Sequence, residues 1–281
     1  MIHAAHAPPA RLAHLVQSLW IQEEPAVDEP VAPTVLLPVG HAALVFEYGD
    51  PFEEVAADGV ARRLAPVVIA GPCTRPVRVR ALGRTGLVIV PFRPWGAAAF
   101  FAGAAECAKR FVELEALVSA AEVRRVHGEV LEATDEGGRR AAVERFLLAR
   151  LGRGEIDACV AAAVERIERA EGREPVAAVA RHLGVGRRHL ARRFAGTLGL
   201  GPKAFARIVR FQGALRRARA GEPWAVVAAR ARYTDQAHLT RECQALSGCT
   251  PVELIGEVEE RAVGRYFNAA DPALRRSTIY L

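Results

Sequence analysis

Apolar positions along this chain change their spacing twice, and the changes divide it. Across residues 34–92, short apolar runs stand between Gly and Pro: Val35-Leu36-Leu37, Ala43-Leu44-Val45-Phe46, Val67-Val68-Ile69, Val77-Arg78-Val79-Arg80 and Leu87-Val88-Ile89-Val90. Runs of this length and bounding predict strands, and hence a small β-rich domain. Val77 and Val79 alternate with Arg78 and Arg80, giving that strand one wet face, whereas the continuous run Leu87 to Val90 should be buried. After Trp95 the spacing turns helical. Val123, Val126 and Val130 form one stripe, Val143, Phe146, Leu147 and Leu151 another, and Gly137-Gly138 breaks them. Residues 97–155 therefore read as a helical connector. Its stripes either pack on the β-rich domain or form a homodimer seam, and packing within the chain is the simpler outcome.

A further stripe, Ile156, Val160, Val164 and Ile167, leads into a segment with internal repetition. Val176-Ala177-Ala178-Val179-Ala180 runs through Leu183-Gly184-Val185-Gly186 into Arg187-Arg188-His189-Leu190-Ala191-Arg192-Arg193-Phe194, a helix, a glycine turn and a second helix. Pro175 suits a first helical turn, Gly184 a left-handed helix end, and Gly186 an N-cap. The layout recurs 48 residues later in Pro223-Trp224-Ala225-Val226-Val227-Ala228, Ala231-Arg232-Tyr233-Thr234 and Asp235-Gln236-Ala237-His238-Leu239-Thr240-Arg241-Glu242-Cys243. Both second helices contain His-Leu-x-Arg, and there the offset is 49, so one turn is a residue longer. Two copies of one unit argue far more strongly than a single match.

At 100° per residue, with Leu190 and Phe194 inward, Arg188 and Arg192 point away from the core with His189 beside them. In the second unit Leu239 and Cys243 face inward and Arg241 outward, flanked by Ala237 and His238. An outward Arg near the start of a helix that fits the major groove can pair with guanine, and Gln236 could read adenine. Between the units Phe205, Ile208, Phe211 and Leu215 mark a helix of about 25 Å which, with the width of the flanking helices, could hold two readers about 34 Å, one DNA turn, apart. Trp224 and Tyr233 fall on inward faces and read as core anchors.

Charge supports the same reading by its location. The chain has a net charge of +6, yet residues 172–255 alone hold 15 Arg and Lys against 5 Asp and Glu. The rest of the chain is thus slightly acidic, and a basic footprint confined to one region suits a polyanion-binding domain.

These residues resemble the DNA-binding domain of the AraC/XylS family of transcription regulators. The likeness spans about 100 residues and rests on Arg188-His189-Leu190-x-Arg192-x-Phe194, Tyr233-x-Asp235-Gln236-Ala237-His238-Leu239-x-Arg241 and Gly248-x-Thr250-Pro251. It implies that the second helix of each unit enters successive major grooves of double-stranded DNA, with base contact at Arg188, Ala191 and Arg192 and at Gln236, Ala237, Thr240 and Arg241. The front of the chain is similar to the divergent cupin-like sensory domains of some members, through the turn Phe92-Arg93-Pro94-Trp95-Gly96. That implies a domain binding a small effector or a second copy of the chain. Two departures fall in the second unit: Arg232 stands where the family usually has Gly, and Cys243 where it has an inward Phe. Both predict that the second unit is the less stable.

The expected fold is α+β: a β-rich, cupin-like domain over residues 1–96, the connector over 97–155, an all-α double helix-turn-helix over 156–255 and a tail over 256–281. No apolar stretch approaches the ~18 residues of a spanning helix, and no secretory pattern opens the chain, so a soluble, cytoplasmic protein with no membrane partner is expected. Cys73, Cys107, Cys159, Cys243 and Cys249 have no zinc or disulfide spacing and read as free thiols. His41 lacks neighbouring ligands and reads as a solvated or hydrogen-bonded histidine rather than a metal ligand, while His3, His6 and His14 lie scattered on a mobile end. Glu47, Tyr48, Arg93 and Trp95 either line an effector pocket or, for Arg93 and Trp95, shape the turn. No catalytic motif, cofactor or metal site is expected, although a cupin-like enzyme or metal-binding protein with a DNA-binding tail, and an effector-free architectural DNA binder, stand as the alternatives.

Overall fold

The computed structural model describes residues 2–26 and 33–254; the expected tail over 256–281 lies outside the described residues. Among the described residues ten strands form two antiparallel sheets. The first has six strands: β1 (Ile2–His6), β2 (Leu19–Glu24), β9 (Thr85–Pro91), β4 (Ala43–Glu47), β7 (Val67–Ala70) and β10 (Phe111–Glu113), in that order. The second runs β3 (Thr34–Leu36), β8 (Val77–Ala81), β5 (Phe52–Val55), β6 (Ala61–Arg63).

Pleating explains why the large sheet reads as continuous apolar runs. Leu44, Phe46, Val88 and Val90 point to one face and join a large core with the helices, while Ala43, Leu87 and Ile89 point to the other and pack with Phe52 of the second sheet. Every residue of β9 is accordingly buried.

Two sequence expectations change, and two strands come in that the sequence did not mark. The N-terminal segment is not a mobile end: Ile2–His6 pairs with β2, and the His6 ring lies 2.7 Å from Glu136 through Nε2 and 3.2 Å from Arg140 through Nδ1. The region from residue 97 is not wholly helical, because Phe111–Glu113 adds an edge strand to β7 and short 3-10 turns occupy Gly96–Ala99, Ala104–Cys107 and Leu114–Ala116. The polar strands β5 and β6 lacked an apolar signature; Glu53 and Glu54 instead pair across strands with Arg80 and Arg62.

Eight α-helices complete the described chain. α1 (Ala120–Glu132) and α2 (Glu136–Arg150) are capped by Ser119 and Asp135, which accept the backbone N–H of Glu122 and Gly138. Their stripes go to the sheet: Val123, Val126, Val130, Val143, Phe146 and Leu147 are buried in the large core, where Phe146 meets Phe46 edge-on at 6.3 Å. The apolar faces considered for a dimer seam are thus covered within the chain.

The remaining helices are α3 (Ala158–Arg169), α4 (Val176–His182), α5 (Arg187–Leu198), α6 (Pro202–Arg219), α7 (Trp224–Arg230) and α8 (Gln236–Ser247). They form two similar units, α3 to α5 and α6 to α8. The first shares the large core of the front domain through Val160, Leu190 and Phe194, joined there by Phe205 from the start of α6. The second has its own core around Phe211, Leu215, Tyr233, Leu239 and Cys243, closed by Leu37 from the front domain. Trp224 packs half-buried against it and Tyr233 is buried, as their inward positions required.

The two helix-turn-helix corners differ by one residue. In both, a left-handed residue follows the first helix: Gly184 at φ 67° and Arg232 at φ 55°. Val185 and Tyr233 then donate to the carbonyls of Ala180 and Ala228, and Thr234 is the extra residue before the second helix. A Cβ in this conformation costs ~1 kcal/mol or more. Arg232→Gly should therefore raise the melting temperature of the chain by about 2–4 °C; no rise would mean that this corner is not left-handed in solution.

Candidate nucleic-acid interface

The two second helices place most of the expected readers outward. On α5, Arg188, His189 and Arg192 are exposed and Ala191 is half-buried; on α8, Gln236, Ala237 and Arg241 are exposed and His238 and Thr240 half-buried. Leu190, Phe194, Leu239 and Cys243 are buried on the opposite faces, as the helical geometry required.

Local bonds set how each group can act. Arg192 approaches Nδ1 of His189 at 3.0 Å. A guanidinium only donates, so Nδ1 accepts and Nε2 carries the ring proton, which makes His189 a donor at its outer nitrogen. His238, its counterpart, is turned partly inward: its ring packs edge-on against Tyr233 at 5.2 Å and Nδ1 accepts from the Thr234 N–H at 3.3 Å. The Thr240 hydroxyl donates to the Gln236 carbonyl at 3.0 Å, which commits its proton within the helix. Asp235 caps α8 by accepting the His238 N–H at 2.6 Å, whereas Gly186 begins α5 with no side-chain cap.

Among the described residues Arg187, Arg188 and Arg241 make no ion pair, while arginines lying between helices do. Arg166 meets Glu174 at 2.7 Å, Arg193 meets Asp157 at 2.6 Å, Arg207 meets Glu242 at 2.7 Å and Arg217 meets Glu171 at 2.9 Å. Sequence reasoning missed the pairs at Asp157 and Glu242; the 49-residue offset relating Arg193 to Glu242 was the available signal.

The front domain holds one further feature. A small apolar slot, open to solvent on one side, is lined by Leu36, Leu37, Val39, His41, Cys73 and Val77 among others. His41 is neither solvated nor fully hydrogen-bonded, contrary to expectation: it is 6% exposed, and Nε2 has no partner among the described residues. Burial lowers its pKa to about 4. Cys73 is buried beside it, and burial pushes its thiol up, away from the reactive thiolate. Glu47, Tyr48, Arg93 and Trp95 do not line this slot; Trp95 is buried and Arg93 is exposed, its backbone N–H donating to the Leu15 carbonyl at 2.7 Å. Among the described residues no group of three His, Cys, Asp or Glu could hold a metal ion, and no helix is long and apolar enough to cross a membrane.

The neutral His41 makes a pH prediction. The unfolded chain takes up a proton on this ring near pH 6.5, the folded chain only near pH 4, so its contribution is fully present above pH 6.5 and is lost as pH falls toward 4. Between pH 7 and 5 the wild type should lose about 2 kcal/mol more than His41→Leu in urea unfolding. Glu47, whose pKa burial raises to about 7, shifts stability the other way in both proteins and cancels in the comparison. Equal losses would mean that the ring is reached by water.

Residues 179–256 match the family described as a helix-turn-helix domain, and residues 4–112 one described as a domain of unknown function (DUF6597). No curated protein matches the chain. Solved structures that align with it include ToxT from Vibrio cholerae, 8% identical over 84% of this chain and 98% of that one, with a TM-score of 0.49. Another holds ToxT from Vibrio cholerae strain SCE256 with an unsaturated fatty acid, 10% identical over 84% and 94% with a TM-score of 0.46. The AraC-like transcriptional activator CuxR is 15% identical over 76% and 81% with a TM-score of 0.26. Two helix-turn-helix units in one basic region, behind a β-rich front domain, define a DNA-binding transcription regulator. Residues 179–256 are accordingly a helix-turn-helix domain, and they carry the motifs at Arg188 to Phe194 and Tyr233 to Arg241 that resemble the AraC type.

Proposed function

We propose that this regulator reads double-stranded DNA at two successive major grooves, through Arg188, His189, Ala191 and Arg192 on α5 and through Gln236, Ala237, His238, Thr240 and Arg241 on α8. The observation that carries the reading is the contrast in pairing: Arg188 and Arg241 sit on outward faces without a carboxylate among the described residues, while Arg166, Arg193, Arg207 and Arg217 are neutralised. An unpaired guanidinium near the start of an exposed helix keeps its fork free for guanine O6 and N7, worth about 1–3 kcal/mol of discrimination per base. Phosphate contacts supply the salt-dependent remainder of the affinity. Mapping of bound genomic fragments tests this. Arg188→Ala and Arg241→Ala should each erase preference at one position of the selected sequence, the two positions lying about one helical turn apart. Uniform weakening across all sequences would reduce both side chains to phosphate contacts and leave an architectural binder.

The same proposal gives the front domain a small effector, held at the slot beside His41. A neutral imidazole with a free nitrogen in an apolar wall suits a compact apolar molecule with one hydrogen-bonding group. The slot wall continues into the DNA-binding units: Leu37 closes the second core, the Pro38 carbonyl accepts from Gln212 Nε2 of α6 at 3.0 Å, and Gly40 lies against the Phe205 ring. A ligand there would therefore bear on α6, between the two readers. Thermal shifts across a metabolite panel check this, since a native-state ligand must stabilise by mass action. A hit lost in His41→Leu supports the site, and a hit kept there places the effector elsewhere.

A further inference from the structure

Each recognition helix is tied to the helix that supports it by an ion pair whose member on the recognition helix holds the same position in both units, with the charges reversed. On α5, Arg193 follows the outward Arg192 and donates from Nε and NH2 to both oxygens of Asp157, at 2.6 and 2.7 Å. On α8, Glu242 follows the outward Arg241 and accepts from Nε of Arg207 at 2.7 Å. Asp157 is itself fixed, since it caps α3 by accepting the Val160 N–H at 3.0 Å. Burial alone would raise its pKa, but the Arg193 bonds and the cap outweigh this and hold it below the usual carboxylate value. Arg207 lies on α6, where Arg210 stands over the Tyr233 ring at 4.6 Å and reaches toward Glu242 at 3.9 Å.

The geometry points to Asp157–Arg193 and Arg207–Glu242 as positioning pairs that fix the roll of each recognition helix about its own axis. Their partners are the supporting helices, α3 for α5 and α6 for α8. The apolar faces alone set a helix against its neighbours, but rounded side chains resist roll weakly. A roll of about 20° at roughly 6 Å from the axis moves an arginine tip by ~2 Å, enough to break a bidentate base contact. Bonds on the flank of the helix, next to the reading arginine, oppose that motion directly.

This rests on the reading of α5 and α8 as base readers, and the test separates the two. The full chain is titrated with the duplex it selects from genomic fragments and with random duplex, and the ratio of the two affinities is the readout. Glu242→Gln and Arg207→Gln change net charge in opposite directions, yet both should lower the ratio about tenfold with little change on random duplex beyond the general charge effect. The exchange Glu242→Arg with Arg207→Glu should recover the ratio to within about threefold. Asp157→Asn, which keeps the helix cap, should lower it in the first unit. Ratios that survive all three single substitutions overturn the proposal alone, as does an exchange that restores nothing, because Glu242 would then act by touching DNA. A ratio that rises in one single variant of the second unit and falls in the other also overturns it, in favour of bulk charge. A wild type with no selected fragment overturns the base-reading conclusion beneath it.

Discussion

Gly199→Ala is expected to destabilise the protein by about 3 kcal/mol, lowering its melting temperature by about 6–12 °C. Two costs combine. Gly199 ends α5 in the left-handed conformation, at φ 68°, where a Cβ costs about 1–2 kcal/mol. That Cβ would also lie 2.1 Å from the Ala105 carbonyl oxygen and 2.4 Å from the Ala108 Cβ, so α5 would have to back away from the 3-10 turn Ala104–Cys107. Gly196 is the internal control. It lies inside α5 with nothing within 4 Å of an added Cβ, so Gly196→Ala should stabilise by about 0.5–1 kcal/mol. Scanning fluorimetry of the two variants decides the matter: a Gly199→Ala melt within about 2 °C of wild type would mean that α5 does not dock on the front domain.

Phe194→Ala should cost more, about 3–5 kcal/mol. The ring is fully buried and packs at 5.7 Å from Phe205, in the core shared by the front domain and the first unit. Cys243 is the corresponding residue of α8 and is equally buried, but it presents a single sulfur, so Cys243→Ala should cost only about 1 kcal/mol. Urea unfolding of both variants measures the difference. Equal losses would refute the view that the first unit is anchored by an aromatic core which the second lacks.

How far the sequence carried the fold depended on where the specifying interactions lie. β3, β4, β7, β8 and β9 were legible because β-branched and leucine runs between Gly and Pro encode strands locally. β1, Ile-His-Ala-Ala-His, was not, since its place is set by pairing with β2 rather than by its own side chains. β6, Ala-Arg-Arg, and β10, Phe-Val-Glu, are likewise edge strands recruited by a neighbour. The expectation for His41 failed because burial is a property of surroundings brought together from distant parts of the chain. At the candidate interface, 100° geometry and duplication were enough to turn Arg188, Arg192 and Arg241 outward. They could not show that His238 leans on Tyr233, nor that Arg193 finds a partner 36 residues away at Asp157, because both follow from how helices meet.

The shared core also bears on how such a protein can be recombined. By sequence the natural joint lies near residue 156, where the basic repeat begins. By packing it lies inside α6, because Phe205 belongs with the front domain while Phe211 belongs with the second unit. A front domain transplanted from another regulator would meet a first unit whose apolar face was shaped for a different partner. Exchange of sensing modules between chains of this architecture should therefore succeed when the first helix-turn-helix travels with the front domain, leaving the second to be matched only to Val35, Leu37 and Pro38.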